Sequence, residues 1–533
     1  MATSSNSREK YIMKESNELM RNFPSKRLDV SFRNSHTLLP SLTYIPIDQQ
    51  SAPSPLESLF MFKQPQRTPS NICFEYGWRN PQDNWSLWVR NMHSRFQDVW
   101  RRAGIYDSIC GSVYKVHKNV DLLFVFGEKW CPKTNTFVFP WGEATITLED
   151  VFVLGGYSLL GECVVTSAFL VSEDEVRIDD RLLEAYTEGV RTPNRKTTHS
   201  WWLEQFMGKG SDVEHEAFLA LWLSRYVFPG SLNNMVKEVF PLAIRLARGV
   251  QVCLAPAVLA SIYRDLRSLK NAILEMKDGD SPRVKIQAPF LLVQLWVWER
   301  FPTLQPRPNA IRRGEPRISS WGSTSRGFSV QEIQLAIRVA APDFLWRPYA
   351  KDLDGFVPPA FYSEEEELEL IGQNVSGKAW LLVLCIRPSV LVGLKGLREN
   401  YFPHRVAMQF GYDQDIPATI EFKAENYIVA WTDFTRRVQD RSLYIPSKHF
   451  VAGVTDRYDA WWKVFMECSA LFFNAPEGNR GDCTVERLYV FATASVRSNP
   501  CSSLISSAQH SQLSDGKPLF PEHWKNQVPC LLE

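Results

Sequence analysis

Apolar side chains recur every three or four positions in the segment that follows Pro81. This spacing places them on one face of a helix, and Asp83 or Asn84 is suitably positioned to cap the first turn. The pattern predicts an amphipathic helix that packs against a core through Trp85, Trp88, Val89, Met92, Phe96, Val99, Trp100 and Ala103.

A helix and a short hairpin are predicted next. Residues 120–130 suit the helix, and residues 136–147 contain two runs rich in β-branched and aromatic residues on either side of a Pro-Trp-Gly-Glu turn. Such runs favour paired strands. Thr147 and Asp150 then have the spacing of a capping pair, so we predict a helix over residues 148–154 that ends at two glycines.

Several later segments are apolar nearly all round, which is typical of helices buried inside a domain. They cover residues 214–228, the stretch that begins at Pro256, residues 290–301 after Pro289, and residues 458–472. Proline is favourable at a helix start because its missing N–H group would have no partner there. These helices are expected to pack together.

A connection rich in Pro, Arg, Gly and Ser covers residues 302–328 and predicts an internal boundary. Ser329 and Glu332 form a second capping pattern at the start of the next helix. The acidic run over residues 364–367 suits the positive end of a helix dipole. The apolar run over residues 380–386 is short enough to favour a strand.

These elements predict a mainly α fold, with one large helical domain, a small β-hairpin and a few short strands. The domain is expected to span residues 80–475, with the internal boundary in the 302–328 loop. A loosely ordered N-terminal arm over residues 1–79 precedes it, and a flexible C-terminal tail over residues 495–533 follows it, since both are rich in turn-forming and polar residues.

The composition is that of a folded chain with little net charge. Of 533 residues, 44% are hydrophobic, and 60 Lys and Arg against 59 Asp and Glu give a net charge of +1. No global field therefore draws the chain to nucleic acid or anionic lipid, although a local basic patch remains open. Because residues 1–10 are polar and no apolar run suits a membrane span, we expect no membrane partner and a location inside the cell.

The sequence offers no recognisable catalytic or metal-binding motif. The ten cysteines contain no C-x-x-C pair, and the fingerprints of the common nucleotide-binding, metalloprotease and hydrolase classes are absent. We therefore predict no catalytic, cofactor-binding or metal-binding residue, and no cofactor.

Two groups of polar residues still admit a chemical role. Glu149 and Asp150 can act as paired carboxylates in acid–base chemistry, but a helix cap at Asp150 with Glu149 facing water is the favoured interpretation. His117, His199 and His404 would serve catalysis or metal binding only if suitable partners converge on them in space.

Two further groups are candidates for binding. Aromatic residues and Arg dominate interface hot spots, so one helix carries a candidate partner surface, although a buried face with a salt-bridged rim is the favoured interpretation there. A modest basic loop is the candidate contact with nucleic acid. The partner-surface residues are Trp296, Trp298 and Arg300, and the loop residues are Arg312, Arg313, Arg317 and Arg326.

Four ordered blocks of the sequence resemble the plant mobile domain family. Block 1, residues 130–151, follows the pattern W-x-x-x-T-x-T-F-x-x-x-x-G-E-x-T-x-T-L-x-D-V. Block 2, residues 291–302, contains Q-L-W-V-W-E-R-F. Block 3, residues 256–266, ends in Y-R-D-L, and block 4, residues 403–411, contains R-V-A-M-Q-F-G. Along the chain the blocks come in the order 1, 3, 2 and 4, and four ordered matches are a specific signal.

The resemblance implies a plant protein that descends from a transposon-encoded gene and acts in the nucleus, in meristem maintenance and in transposon or gene silencing. The sequence shows no clear import signal, and the cytoplasm is the alternative location. The implied partners are other nuclear proteins, among them a phosphatase-like protein or another mobile-domain protein. Family members are also called aminotransferase-like, but no lysine and phosphate cup for pyridoxal phosphate are recognisable here.

Two hypotheses for function lead, ahead of a third in which the chain is a degenerate enzyme whose pocket retains some ligand. The first is a non-catalytic nuclear interaction protein that acts through protein partners. The alternative is a transposon-derived nucleic-acid-binding protein that uses the basic loop and the aromatic helices. Salt separates the two hypotheses, because phosphate contacts weaken steeply with ionic strength and apolar protein contacts do not.

Overall fold

The chain is mainly helical, as predicted, and its strands form small sheets of two or three. No helix in the described part of the chain is long and apolar enough to cross a bilayer. The computed structural model describes residues 13–22, 30–38, 73–191, 196–230, 233–276, 283–371, 377–422, 424–437 and 441–474.

The helices of these ranges are α1 (Trp85–Arg102), α2 (Tyr106–Gly111), α3 (Val120–Lys129), α4 (Leu148–Gly155), α5 (Glu173–Arg191), α6 (His199–Phe206), α7 (Glu214–Trp222), α8 (Phe240–Ala247), α9 (Leu254–Glu275), α10 (Leu291–Arg300), α11 (Val330–Val339), α12 (Gly377–Ile386), α13 (Tyr427–Thr435) and α14 (Asp456–Asn474). A π-helical turn over Leu223–Val227 extends α7. The predicted helices over residues 120–130, 214–228 and 290–301, and those at Pro256 and residues 458–472, are therefore confirmed.

The strands are β1 (Met13–Asn22), β2 (Val30–Leu38), β3 (Cys73–Tyr76), β4 (Trp130–Cys131), β5 (Thr136–Phe139), β6 (Gly142–Ala144), β7 (Arg283–Ile286), β8 (Glu367–Ile371), β9 (Ser389–Val392), β10 (Arg398–Tyr401), β11 (Arg441–Ile445) and β12 (Gly453–Thr455). They form the sheets β12-β1-β2, β4-β5-β6, β10-β9, β11-β8 and β3-β7. Only the β3-β7 pair is parallel among these ladders.

Helix α1 buries the aromatic face that its spacing predicts. Trp85, Trp88 and Trp100 lie against Phe218 of α7, with ring centroids 5.0, 5.2 and 5.5 Å apart. Such aromatic contacts add to the stabilisation from apolar burial. Asn84 occupies the N-cap position, but its φ is 62° and its side chain makes no capping hydrogen bond.

Glycine allows the central helices to approach closely. A Cβ atom at Gly127 of α3 would lie 2.6 Å from Leu269 Cδ2 of α9, so a larger residue there would force Leu269 to shift. The two helices therefore pack backbone against side chain at this point. They enter one continuous core that also contains α4 and α10.

The predicted hairpin forms, with Phe137 paired to Ala144 and Phe139 paired to Gly142. Strand β4, which the sequence did not predict, adds a third strand through the pair of Trp130 with Phe137. Helix α4 follows at once and ends at Gly156, whose φ of 64° suits glycine.

Two predicted elements are wrong. Residues 380–386 belong to helix α12 and not to a strand. The segment is buried almost all round, so nearly all of its residues are apolar. Its sequence therefore has no periodicity that could distinguish a helix from a strand. The acidic run over residues 364–367 begins no helix but leads into strand β8. Glu364, before the strand, pairs with Lys448, and Glu367, the first residue of the strand, pairs with Lys378.

Parts of the segment predicted as a loosely ordered arm are strands. Strand β1 pairs with β12 through Met20 and Thr455, and Arg21 lies 2.6 Å from Asp456. Buried Asp413 accepts two hydrogen bonds from Arg33 of β2, at 2.6 and 2.9 Å. The partners β12, Asp456 and Asp413 lie about 400 residues away in sequence, so no local pattern could predict these contacts. The predicted tail over residues 495–533 lies outside the described residues.

The 302–328 loop does not separate two cores. Ile318 and Trp321 from its middle are buried in the same core cluster as α1, α9 and α10. The internal boundary predicted there is therefore not observed. The boundary was predicted because the loop is poor in helix-forming residues. Its apolar residues nevertheless pack in the shared core.

Candidate functional site

A capping box at the start of α4 forms the base of a first buried charge cluster. The Thr147 backbone N–H donates to Asp150 Oδ2 at 2.8 Å, and the Asp150 N–H donates to Thr147 Oγ1 at 3.3 Å. The capping role predicted for Asp150 is confirmed. The same carboxylate is buried, with 1% of Asp150 exposed, so its second oxygen requires a partner from inside the core.

Arg300 of α10 is that partner. Its Nη2 donates to Asp150 Oδ1 at 2.7 Å, and the Tyr349 hydroxyl donates to the same oxygen at 2.8 Å. Arg300 Nη1 also donates to the carbonyl oxygens of Leu345 and Trp346, at 3.2 and 2.6 Å. Both charged side chains are fully buried, so each is tolerated in the core because of the other.

Glu149 is buried, which contradicts the prediction that it faces water. It packs against residues from three later segments, among them Phe361, Tyr362 and Leu382. The Tyr362 hydroxyl donates to Glu149 Oε1, while Oε2 has no hydrogen-bond partner among the described residues. Burial, and then the neighbouring Asp150 carboxylate, raises the pKa of Glu149 to about 7.

A carboxyl group with a pKa near neutrality suits proton transfer, but Glu149 has no room for a substrate beside it. The adjoining crevice is lined by Arg347, Phe410 and Pro446 as well as the residues above, and it has no space for a water molecule. The arrangement therefore holds a proton within the fold. It does not present a reactive group to a ligand.

We expect Glu149→Gln to stabilise the protein at pH 8 and to have little effect at pH 5. The folded state keeps the Glu149 proton up to about pH 7, whereas the unfolded chain releases it near pH 4.5. Stability is therefore lost as pH rises through this window, by on the order of 3 kcal/mol, and the neutral amide avoids that loss. Urea unfolding of both proteins at pH 5, 6, 7 and 8 measures the difference.

The matched control for this experiment is Glu365→Gln, at an exposed position in the described part of the chain. Its stability difference from wild type should not change with pH. A Glu149→Gln difference that is flat from pH 5 to pH 8 would show that Glu149 is ionised throughout.

A second buried cluster ties the hairpin to the late segment of the domain. Arg405 Nη2 lies 2.8 Å from Glu143 Oε2 of β6, and Thr136 Oγ1 donates to Glu143 Oε1 at 2.9 Å. Next to it, the Gln409 side chain accepts from Thr145 N–H at 2.8 Å and donates to the Thr145 carbonyl at 2.9 Å. The Gln409 side-chain amide thus makes the two hydrogen bonds to the Thr145 backbone that a neighbouring strand would make.

A third cluster removes one candidate for contact with nucleic acid. Arg317 Nε and Nη2 donate to Glu299 Oε1 and Oε2 at 2.9 and 2.7 Å, and Trp321 Nε1 donates to Oε1 at 2.8 Å. Arg317 is buried, so the prediction that it contacts phosphates is wrong. The other three candidates, Arg312, Arg313 and Arg326, are exposed.

The predicted partner surface on α10 does not exist as a surface. Trp296, Trp298 and Arg300 are 0%, 1% and 0% exposed. Trp296 stacks on Phe137 with centroids 5.1 Å apart, and Trp298 lies 5.6 Å from Trp321. The helix is enclosed by the hairpin on one side and by the 302–328 loop on the other. The prediction therefore fails because α10 has no exposed face.

The three candidate histidines do not form a site. His199 and His404 are buried, and burial followed by nearby arginines lowers the pKa of each to about 3. His199 lies beside Arg225, at 3.2 Å, and His404 beside the Ala418 carbonyl, at 3.1 Å. His117 is exposed. Across the described ranges, no group of three His, Cys, Asp or Glu residues is arranged to hold a metal ion.

Other members of these clusters had no recognisable role in the sequence. Tyr349 lies in a single 3-10 turn and Tyr362 in an irregular segment, where no periodicity marks them as buried. Gln409 lies in an apolar stretch, and a polar residue in such a stretch is the one signal for a buried hydrogen-bonding group.

The clusters connect the four sequence blocks to one another. Asp150 of block 1 binds Arg300 of block 2, and Glu143 of block 1 binds Arg405 of block 4. Tyr263 of block 3 donates to the Ile146 carbonyl of block 1 at 2.7 Å. A model of the family described as Plant mobile domain matches residues 104–463, about two thirds of the chain.

The chain belongs to the plant mobile domain family. Three relatives from Arabidopsis thaliana are similar to parts of it. Protein MAINTENANCE OF MERISTEMS is 26% identical over 58% of this chain and 60% of its own length. Protein MAIN-LIKE 2 is 21% identical over 70% and 54%. A serine/threonine-protein phosphatase 7 long form homolog is 26% identical over 57% and 23%.

This plant mobile domain protein thus spans 60% or less of these relatives' lengths. No solved structure matches the chain. The family blocks, which the sequence alone left open to a binding or chemical role, are in this member the parts that join the core.

Proposed function

We propose that this plant mobile domain protein is a non-catalytic nuclear protein that acts through protein partners in meristem maintenance and in transposon or gene silencing. The similarity to Protein MAINTENANCE OF MERISTEMS supports the biological setting. The expected partners are other nuclear proteins, among them a phosphatase-like protein or another mobile-domain protein. A location in the nucleus is part of the proposal, with the cytoplasm as the alternative.

The observation that carries the proposal is the internal pairing of the charged residues in the family blocks. Asp150, Glu143 and Glu299 each bind a buried arginine, and the crevice beside Glu149 holds no water molecule. The side chains most suited to acid–base chemistry are therefore committed to the fold. The residues left to bind partners are therefore those on the surface of the domain.

One part of that surface has the character of a protein-binding site. Phe169, Val171 and Val176, which we call the apolar ridge, are 66%, 81% and 46% exposed, while Leu170 between the first two packs against the core. Helix α5, which contains Val176, carries seven acidic residues and three arginines, a net charge of −4. Arg245 and Arg248 pair with Glu175 and Asp174, and the other five acidic residues remain. Exposed apolar groups beside acidic ones suit a partner segment that is both apolar and basic.

Affinity purification of the tagged protein from plant nuclei, with nuclease and at high salt, tests this proposal. We expect a reproducible set of proteins to remain bound. The Phe169→Ser/Val171→Ser variant is expected to lose at least one of them, because it removes the centre of the apolar ridge.

The matched control is Leu335→Ser/Val339→Ser, which removes two similarly exposed apolar residues of α11 and is expected to retain the full set. If nucleic acid alone is recovered and is lost as salt rises, the proposal is wrong. If both variants retain every partner, the apolar ridge is not the binding surface.

The alternative function, direct binding of nucleic acid, loses part of its basis. Its aromatic helices are buried, since Trp296 and Trp298 have no exposed face. The exposed arginines of the 302–328 loop, Arg312, Arg313 and Arg326, are the part of this alternative that the structure leaves available for contact with phosphates.

A further inference from the structure

Six exposed cations lie where the 302–328 loop packs against residues 113–119. None of the six forms a salt bridge with any residue of the described ranges. We call this group the basic face. It consists of Lys115, Lys118, Arg307, Arg312, Arg313 and Arg326.

Hydrogen bonds hold three parts of the basic face together. Ser323 N–H donates to the Lys115 carbonyl at 2.6 Å, and Asn119 Nδ2 donates to the Arg326 carbonyl at 3.3 Å. Arg326 Nη1 donates to the Gln305 carbonyl at 3.1 Å, two residues before Arg307. Cations from separate segments of the sequence are thus placed on one surface by the backbone.

The turn that carries Arg312 and Arg313 is fixed to the same surface. Arg312 N–H donates to Glu315 Oε2 at 2.9 Å, and Glu315 also hydrogen-bonds Tyr114, the residue before Lys115. A Cβ atom at Gly355, where φ is +80°, would lie 2.1 Å from the Ile311 carbonyl oxygen, so only glycine allows the turn to rest there. The guanidinium groups therefore project from an anchored loop.

Carboxylates near the basic face are fewer and partly engaged. Glu315 is held by Tyr114 and by the turn, and Glu332 is occupied in the capping box with Ser329. Asp121 and Asp354 lie at its borders. Six exposed cations without a salt-bridge partner among the described residues thus lie together on a chain whose net charge is only +1.

Two aromatic rings lie under cations of this face. Lys118 Nζ is 5.9 Å from the centre of the Phe74 ring, and the Arg326 guanidinium is 4.6 Å from the centre of the Phe328 ring. Both rings are half-buried. Cations spread over an open surface with flat rings between them are typical of binding to a nucleic-acid backbone.

We propose that the basic face binds the phosphate backbone of nucleic acid without reading its sequence. A polyanion with evenly spaced charges can engage cations that are spread over three segments, whereas a compact acidic side-chain cluster would reach only some of them. This function is additional to protein binding at the apolar ridge and uses different residues.

Fluorescence anisotropy of the full chain with labelled oligonucleotides of about 30 nucleotides tests the proposal. Single-stranded DNA, duplex DNA and RNA of one sequence are compared between about 50 and 200 mM salt. We expect binding whose affinity falls steeply with salt. The variant Arg307→Gln/Arg312→Gln/Arg313→Gln/Arg326→Gln is expected to bind at least about tenfold more weakly at 100 mM salt, with a shallower salt dependence.

The matched control is Arg90→Gln/Lys196→Gln/Lys209→Gln/Lys237→Gln, which neutralises four cations that are exposed elsewhere. It lowers the net charge equally, from +1 to −3, and is expected to stay within about twofold of wild type. Equal thermal unfolding of both variants confirms that they are folded. The three oligonucleotides show which form of nucleic acid is preferred.

The proposal is overturned if wild type binds none of the oligonucleotides, if both variants lose affinity equally, or if a polyglutamate competitor binds more tightly than any oligonucleotide. The last result would instead assign the basic face to an acidic protein segment.

Discussion

Arg300→Met is expected to lower the free energy of unfolding by about 3–5 kcal/mol, the usual cost of removing one partner from a buried ion pair. The substitution would leave the buried Asp150 carboxyl group with only the Tyr349 hydroxyl and the Thr147 cap as partners. It would also leave the carbonyl oxygens of Leu345 and Trp346 without the Arg300 donor.

Urea unfolding at pH 7 measures this effect, and Arg313→Met is the matched control. Arg313 is exposed and forms no salt bridge within the described residues, so its replacement should leave stability unchanged within error. If Arg300→Met is as stable as the control yet loses a bound partner, Arg300 contributes to a surface and its burial in the core is disproved.

Elements whose signals are local could be predicted from the sequence. The aromatic face of α1, the hairpin over β5 and β6, and the capping boxes at Thr147 and Ser329 all rest on residues within a few positions of each other. Periodicity and capping chemistry report such neighbours directly. The mainly helical fold class follows from these elements.

Elements that depend on distant partners could not be predicted from the sequence. Strand β1 pairs with the nearby β2 over nine residues, but it joins the domain through β12 and Asp456, more than 400 residues away. Helix α12 lacks a polar face because several segments enclose it. In both cases the tertiary context decides the structure, and local preference is only a weak guide.

The role of the charged block residues also depends on distant partners. Glu143 and Arg405 are 262 positions apart, and no spacing rule connects them. A retrospective signal exists for Glu299 and Arg300, since charged residues that continue an apolar helix are rarely buried unless they are paired. In the basic loop, Arg312, Arg313 and Arg326 are exposed and their contact with nucleic acid stays a prediction, whereas Arg317 is buried against Glu299 of α10.

The central claim is that the charged residues of the family blocks bind one another to hold the domain together. A double-mutant cycle with Glu143→Gln, Arg405→Met and the combined variant tests it most directly, by urea unfolding at pH 7. Each single substitution is expected to cost about 3–5 kcal/mol, because it leaves the other side chain buried without its charge partner.

The combined variant is expected to cost at least about 1 kcal/mol less than the sum of the two single losses, since no orphaned charge remains. Losses that add to within about 0.5 kcal/mol would mean that the two side chains do not interact in the folded protein, and would contradict the claim.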